Sequence, residues 1–117
     1  MSFSTAISKK DIIRINQEIG ESGEMQNESS LDFALSTMKH RKSWLYELSY
    51  MARCLLADHA FMDGNKRTAL VLIITCFKEQ NIGYDKDALV KTIWEISKKN
   101  IADINKIARM IKDAAVY

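Results

Sequence analysis

The chain has 117 residues, about one domain's worth, and with 47% apolar and 27% charged residues it is composed like a globular protein rather than a disordered one. Lys plus Arg (17) against Asp plus Glu (15) leaves a net charge of only +2, too near neutral for the basic footprint of a general nucleic-acid binder. The longest apolar stretch, Thr68 to Phe77, falls far short of the roughly 20 residues that cross a bilayer, so no membrane span is expected.

No basic head followed by an apolar run opens the sequence, which points to a cytoplasmic protein. Cys54 and Cys76 have no CxxC partner, so free buried thiols are expected rather than a zinc site or disulfide framework. Proline is absent, although average usage of about 5% would give several, and an all-α reading follows.

In chain order, Ser8 and Asp11 form a capping box for a first helix over about residues 9–19, with Ile12, Ile15 and Ile19 on one face. The polar stretch Gly20 to Ser30 reads as an exposed loop or flap. A short second helix behind Ser29 or Ser30 carries Leu31, Ala34, Leu35 and Met38. The third, about residues 44–58, repeats Leu45, Leu48, Ala52, Leu55 and Leu56 at spacings of three and four. Residues 66–79 are apolar on every side, which predicts a helix buried on every side; a lone strand among helices would lack a ladder partner. After Gly83 and Asp85 a fifth helix carries Leu89, Val90, Ile93, Trp94 and Ser97. A sixth, capped by Asp103, carries Ile104, Ile107, Ala108, Ile111 and Ala115. The expected architecture is a single domain, residues 1–117, of helices wrapped around one buried central helix. Trp44, Trp94 and the methionines are assigned to packing and His40 to the surface. No Lys or Arg occurs from Asn16 to Met38, and Lys39, His40, Arg41 and Lys42 follow at once, either as a solvated helix end or as a docking surface.

The segment His59-Ala60-Phe61-Met62-Asp63-Gly64-Asn65-Lys66-Arg67-Thr68 does not fit structural needs alone. Lys and Arg in a first helical turn oppose the helix dipole, so an anion is expected there. Free amides, two cations and a glycine that allows close backbone approach describe a phosphate cradle at Gly64, Asn65, Lys66 and Arg67. Asp63 is a hard oxygen donor suited to Mg2+ shared with phosphates, and His59 is placed to take a proton from an attacking hydroxyl. Base, metal ligand and anion site within ten residues make a phosphoryl- or nucleotidyl-transfer centre. Read singly, His59 is a helix C-terminal cation, Asp63-Gly64-Asn65 is turn chemistry and Phe61 is core.

The segment resembles the signature HxFx(D/E)(G/A)N(G/K)R of the Fic/Doc (Fido) family and matches it at His59, Phe61, Asp63, Gly64, Asn65, Lys66 and Arg67. The order of helices over most of residues 8–115 is similar to the Fido core, with the N-terminal third matched only loosely. The resemblance implies a Fido-type helical bundle with a short flap and an ATP- and Mg2+-dependent enzyme. In it His59 is the general base, Asp63 the metal ligand, the amides of Gly64 and Asn65 with the Asn65 side chain the binders of one phosphate, Arg67 the clamp on another, and Phe61 the loop anchor.

Lys66, where AMP-transferring members usually have Gly, looks like Doc, a toxin that phosphorylates elongation factor Tu; Gly64 departs from the Ala common in Doc-type motifs. On that likeness the Lys66 side chain would crowd the phosphate pocket and favour a reversed nucleotide, so transfer of phosphate to a Ser or Thr hydroxyl of a protein is expected, with Fic-type AMP transfer as the alternative. A noncatalytic module holding an anionic partner such as RNA is a second alternative, but it gives Asp63 no role. The family's flap pairs main chain to main chain with the target peptide, a role that would fall on about Ser22 to Asn27. Self-inhibited members carry an (S/T)xxxE(G/N) helix whose Glu pairs with the motif arginine. Here only Ser43 with Glu47 and Thr75 with Glu79 have the spacing, and Leu48 and Gln80 follow them, so a separate antitoxin is the expected inhibitor.

Overall fold

The computed structural model describes residues 7–38 and 43–116; the cations Lys39, Arg41 and Lys42, His40 and the Met38 side chain lie outside the described residues. Within them the chain is helical as expected, with α1 (Lys9–Glu18), α2 (Glu28–Met38), α3 (Trp44–Leu56), α4 (Asn65–Glu79), α5 (Lys86–Lys98) and α6 (Ile104–Asp113). Two short strands, β1 (Gly83–Tyr84) and β2 (Ala115–Val116), complete the order.

Helix starts follow side chains that satisfy otherwise unpartnered first-turn amides. The Ser8 hydroxyl accepts from the Asp11 N–H while the Asp11 carboxylate accepts from the Ser8 N–H at 2.9 Å, completing the capping box of α1. Asp85 accepts from the N–H groups of Asp87 and Ala88, and Asp103 from those of Asn105 and Lys106. The start of α2 differs from expectation. Asn27 Oδ1 accepts from the Ser30 N–H at 3.3 Å, so Ser29 and Ser30 lie inside the first turn instead of capping it. Lys9 then ties α1 to α2 by ion pairs to Glu28 and, at 2.9 Å, to Asp32.

The core is one continuous cluster that includes Ile12, Leu31, Leu48, Leu55, Phe61, Leu72, Phe77, Leu89, Ile93 and Ile107. The central position belongs to α3, which packs against α2, α4, α5 and α6 and buries Leu48, Met51, Ala52, Cys54, Leu55 and Leu56. Burial of α4 on every side is not observed. Thr68, Ala69, Leu72, Ile73, Cys76 and Phe77 are buried, but Val71 is 36% exposed and Thr75 is exposed. Val71 and Thr75 stand four residues apart on one face of α4, and the neighbouring helices leave that face uncovered.

The strands were not expected, and a two-residue strand carries no alternation to read. They pair antiparallel with Gly83 opposite Val116 and Tyr84 opposite Ala115, so Ala115 belongs to β2 and not to the sixth helix. A Cβ on Gly83 would stand 2.8 Å from the Val116 carbonyl oxygen, which accounts for glycine there. Among the described residues no helix is long and apolar enough to cross a membrane.

Candidate functional site

The loop between α3 and α4 is held from both sides. Phe61, fully buried, forms an antiparallel bridge with Met25 of the flap. Around it the N–H groups of Gln26 and Asn27 donate to the Ala60 carbonyl at 2.8 and 3.0 Å, and the Met62 N–H donates to the Glu24 carbonyl at 3.0 Å. On the far side, Asn65 Oδ1 accepts from the Phe61 N–H at 3.0 Å and Nδ2 donates to the Phe61 carbonyl at 2.9 Å. The Asn65 side chain therefore completes the ladder as another strand would, so its amide atoms are committed to the loop backbone and the anion site is left to its main-chain N–H. In the flap, Met25's own N–H and carbonyl make no hydrogen bond to the described residues, leaving one edge available for pairing.

His59 is exposed and sits at φ 51°, a left-handed conformation that costs an L-residue roughly 1–2 kcal/mol. Its neighbours enforce it. Asp58 Oδ2 accepts from the Ser30 hydroxyl at 2.7 Å, its carbonyl accepts from Asn27 Nδ2 at 3.3 Å, and the Ala60 N–H donates to the Cys54 carbonyl at 3.2 Å. Strain of this kind, over-determined by surrounding bonds, is characteristic of functional positions.

Gly64 is the N-cap of α4 at φ 77°, with no side chain capping the helix. The N–H groups of Asn65, Lys66 and Arg67 precede the first helical bond, from the Thr68 N–H to the Gly64 carbonyl at 2.9 Å. An added Cβ at Gly64 would stand 2.6 Å from Glu21 Cγ, 3.1 Å from Asn16 Nδ2 and 3.2 Å from Ile19 Cδ1. Glycine is thus required both by φ and by the side chains crowding this point.

Two of those side chains escaped the sequence reading. Asn16, 1% exposed on α1, joins three segments: Nδ2 donates to the Asp63 carbonyl at 2.9 Å and to Thr68 Oγ1 at 3.2 Å, and Oδ1 accepts from the Gly23 N–H at 3.0 Å. Glu21, in the loop after α1, forms an ion pair with Arg67, whose Nη1 also donates to the Ile19 carbonyl at 3.2 Å. A glutamate therefore does reach the motif arginine, from a loop and not from an (S/T)xxxE(G/N) helix.

Trp94 was expected to pack, yet it is 56% exposed on α5. Lys66 Nζ lies 4.7 Å from its ring centroid. Met62, likewise expected to pack, is 51% exposed. Trp44 meets the expectation, stacking edge-on against Phe77, and both cysteines are free and buried. Burial pushes the Cys54 thiol up to about 11 and the Cys76 thiol up to about 12, which leaves neither a thiolate nucleophile at neutral pH.

His59, Asp63, Gly64, Asn65, Lys66 and Arg67 line one open cleft of about 530 Å³, with Glu21, Trp94 and Ser97 on its remaining walls; Phe61 lies in the core beneath. That volume is in the range of small-molecule sites. Among the described residues no three His, Cys, Asp or Glu side chains gather to form a metal cage. Asp63, a single exposed hard-oxygen donor on the cleft wall, suits an Mg2+ ion that takes its other ligands from phosphates and water. The arrangement can bind a polyphosphate and offer a base to a hydroxyl beside it. No protein-family model matches this chain, nor does any curated protein.

Proposed function

We propose that the chain is a Fic/Doc-type enzyme that transfers a phosphate from ATP to a Ser or Thr hydroxyl of a target protein. The observation that carries this reading is the convergence in one cleft of His59, Asp63, the uncapped amides of α4 and two cations. His59 takes the proton of the target hydroxyl; the hydroxyl oxygen bonds to the γ phosphorus as the bond to the bridging oxygen breaks, and ADP leaves. The α4 amides and Arg67 fix the phosphates for in-line attack, Arg67 exchanging Glu21 for phosphate. Mg2+ held by Asp63 would supply neutralising charge across the phosphates. The open edge of Met25, next to the loop that carries His59, suits strand-like pairing with a target peptide. A translation factor such as elongation factor Tu is the target class that the resemblance suggests, and a separate antitoxin docking near the flap is the corresponding inhibitor.

AMP transfer is the second reading, favoured by one observation. The Lys66 ammonium rests against Trp94 instead of filling the cradle, so the crowding expected of Lys66 does not by itself exclude the AMP-transferring pose. In that case the hydroxyl attacks the α phosphorus and pyrophosphate leaves. Incubating the protein and Mg2+ with a lysate and ATP labelled at the α or the γ phosphate decides between them. Label from the γ position is expected; label from the α position with a mass gain of one AMP assigns the other reaction, and no label from either removes the enzyme reading.

A further inference from the structure

We infer that the Trp94 indole is the platform on which the nucleotide's base stacks, and that Lys66 is its temporary occupant in the ligand-free site. The inference rests on the nucleotide reading above and adds to it the subsite for the base. Trp94 is a large aromatic residue that the core does not use: it is 56% exposed, projects from α5 and forms a wall of the same cleft as Gly64 and Asp63. It also borders a second groove beside Lys91 and Lys98, so no neighbouring helix shields the ring.

Among the described residues its one close partner by ring contact is the Lys66 ammonium, 4.7 Å from the centroid. A cation on an exposed ring is held weakly, whereas stacking of a base on an aromatic side chain is the stronger contact, so a base arriving with its phosphates displaces Lys66. The displaced ammonium belongs to the first turn of α4, where the phosphates bind, and gains a charged partner by leaving the ring. Ser97 follows Trp94 by three residues on the same helical face and the same cleft wall, and offers a hydroxyl to the edge of the base or to the ribose.

The test is calorimetric titration of the whole chain with Mg-ATP and with magnesium tripolyphosphate, which keeps the phosphates and lacks the nucleoside. Each ligand is compared across wild type, Trp94→Ala and Trp94→Phe. Because Trp94 is exposed, its loss should leave the fold intact, which far-ultraviolet circular dichroism checks. Trp94→Ala is expected to weaken ATP about tenfold and tripolyphosphate less than twofold, with Trp94→Phe recovering most of the loss. Equal loss for both ligands would overturn the inference and leave Trp94 as a positioning residue for Lys66. Unchanged ATP affinity in Trp94→Ala would overturn it too, while leaving the phosphate cradle standing. Failure of wild type to bind either ligand removes both the base platform and the nucleotide reading beneath it.

Discussion

Asn16 is the point at which fold and site depend on the same side chain. Its amide joins α1 to the Asp63 carbonyl, to Thr68 on α4 and to the Gly23 N–H at the base of the flap, in a position 1% exposed. Truncation to Ala removes three hydrogen bonds; at a net value of about 1 kcal/mol each, the loss is about 3 kcal/mol. For a domain of this size that corresponds to a fall in Tm of roughly 10–15 °C. Asn16→Asp sharpens the test, because the shape is kept while the donor is changed. An ionised oxygen in the place of Nδ2 would face the Asp63 carbonyl oxygen at about the wild-type 2.9 Å, acceptor against acceptor. Protonation of the introduced carboxyl restores one of the two donated bonds, that to the Asp63 carbonyl.

Burial and that carbonyl therefore raise the folded-state pKa of the new acid above its unfolded value of about 3.9. The stability contributed by the protonated form is complete below about pH 4 and is lost as pH rises through the folded pKa. Thermal unfolding followed by circular dichroism at pH 4 and pH 8, with wild type melted alongside at each pH, reads both effects. Asn16→Asp should lie about 1 kcal/mol below wild type at pH 4, one donated bond short, and further below it at pH 8. A loss under 1 kcal/mol for Asn16→Ala, or a pH-independent deficit for Asn16→Asp, would refute the assignment of these bonds.

His59→Ala and His59→Gly should both lower transfer by roughly 10²- to 10⁴-fold without unfolding the chain. The glycine variant should melt about 4 °C above the alanine variant, because it relieves the left-handed strain; equal melting points would remove strain from the account of this residue. Glu21→Gln takes a carboxylate from beside the anion site and frees the Arg67 guanidinium, so tripolyphosphate should bind several-fold more tightly, as titration calorimetry would show; weaker binding would mean that Glu21 organises the site. The two thiols, raised from 9.0 to about 11 and about 12, favour the neutral form in the folded state. Their contribution is complete below about pH 9 and is lost as pH rises through those folded values. At pH 8 Ellman's reagent should accordingly react with neither cysteine until denaturant is added, and prompt reaction of the native protein would contradict their burial.

Much of the scaffold was legible because its signals are local. Ser8 with Asp11, Asp85 and Asp103 cap the helices that the sequence placed behind them, and the stripes of α3 and α6 fall on the buried face. The loop residues of the site were legible for a similar reason, since six of them fall within nine consecutive positions. What could not be read is contact between distant positions. Asn16 and Glu21 are ordinary polar residues until folding brings them against residues about 50 positions away, and nothing in their neighbours marks them. Trp94 shows the converse limit. Its spacing fits the apolar face of α5, but Leu89, Ile93 and Ile96 fill the core and leave it outside. Asn65 had a fitting residue type for phosphate, while its side chain is spent on the Phe61 backbone, a choice set by loop geometry.

The packing of α6 on α3 has a consequence for the nascent chain. The two helices are linked by the Tyr46 hydroxyl donating to Asn105 Oδ1 at 2.7 Å across 59 positions, and Ile107 and Ile111 enter the same core as Leu48 and Leu55. During synthesis α3 leaves the ribosome long before the helix that covers it, with its apolar side open to other surfaces. The loop bearing His59 emerges in the same interval, behind the flap residues that pair with it. Closure of the core around α3 is thereby left to α6, and a ribosome stalled ahead of residue 104 would hold a chain with every cleft residue made and one side of α3 still uncovered.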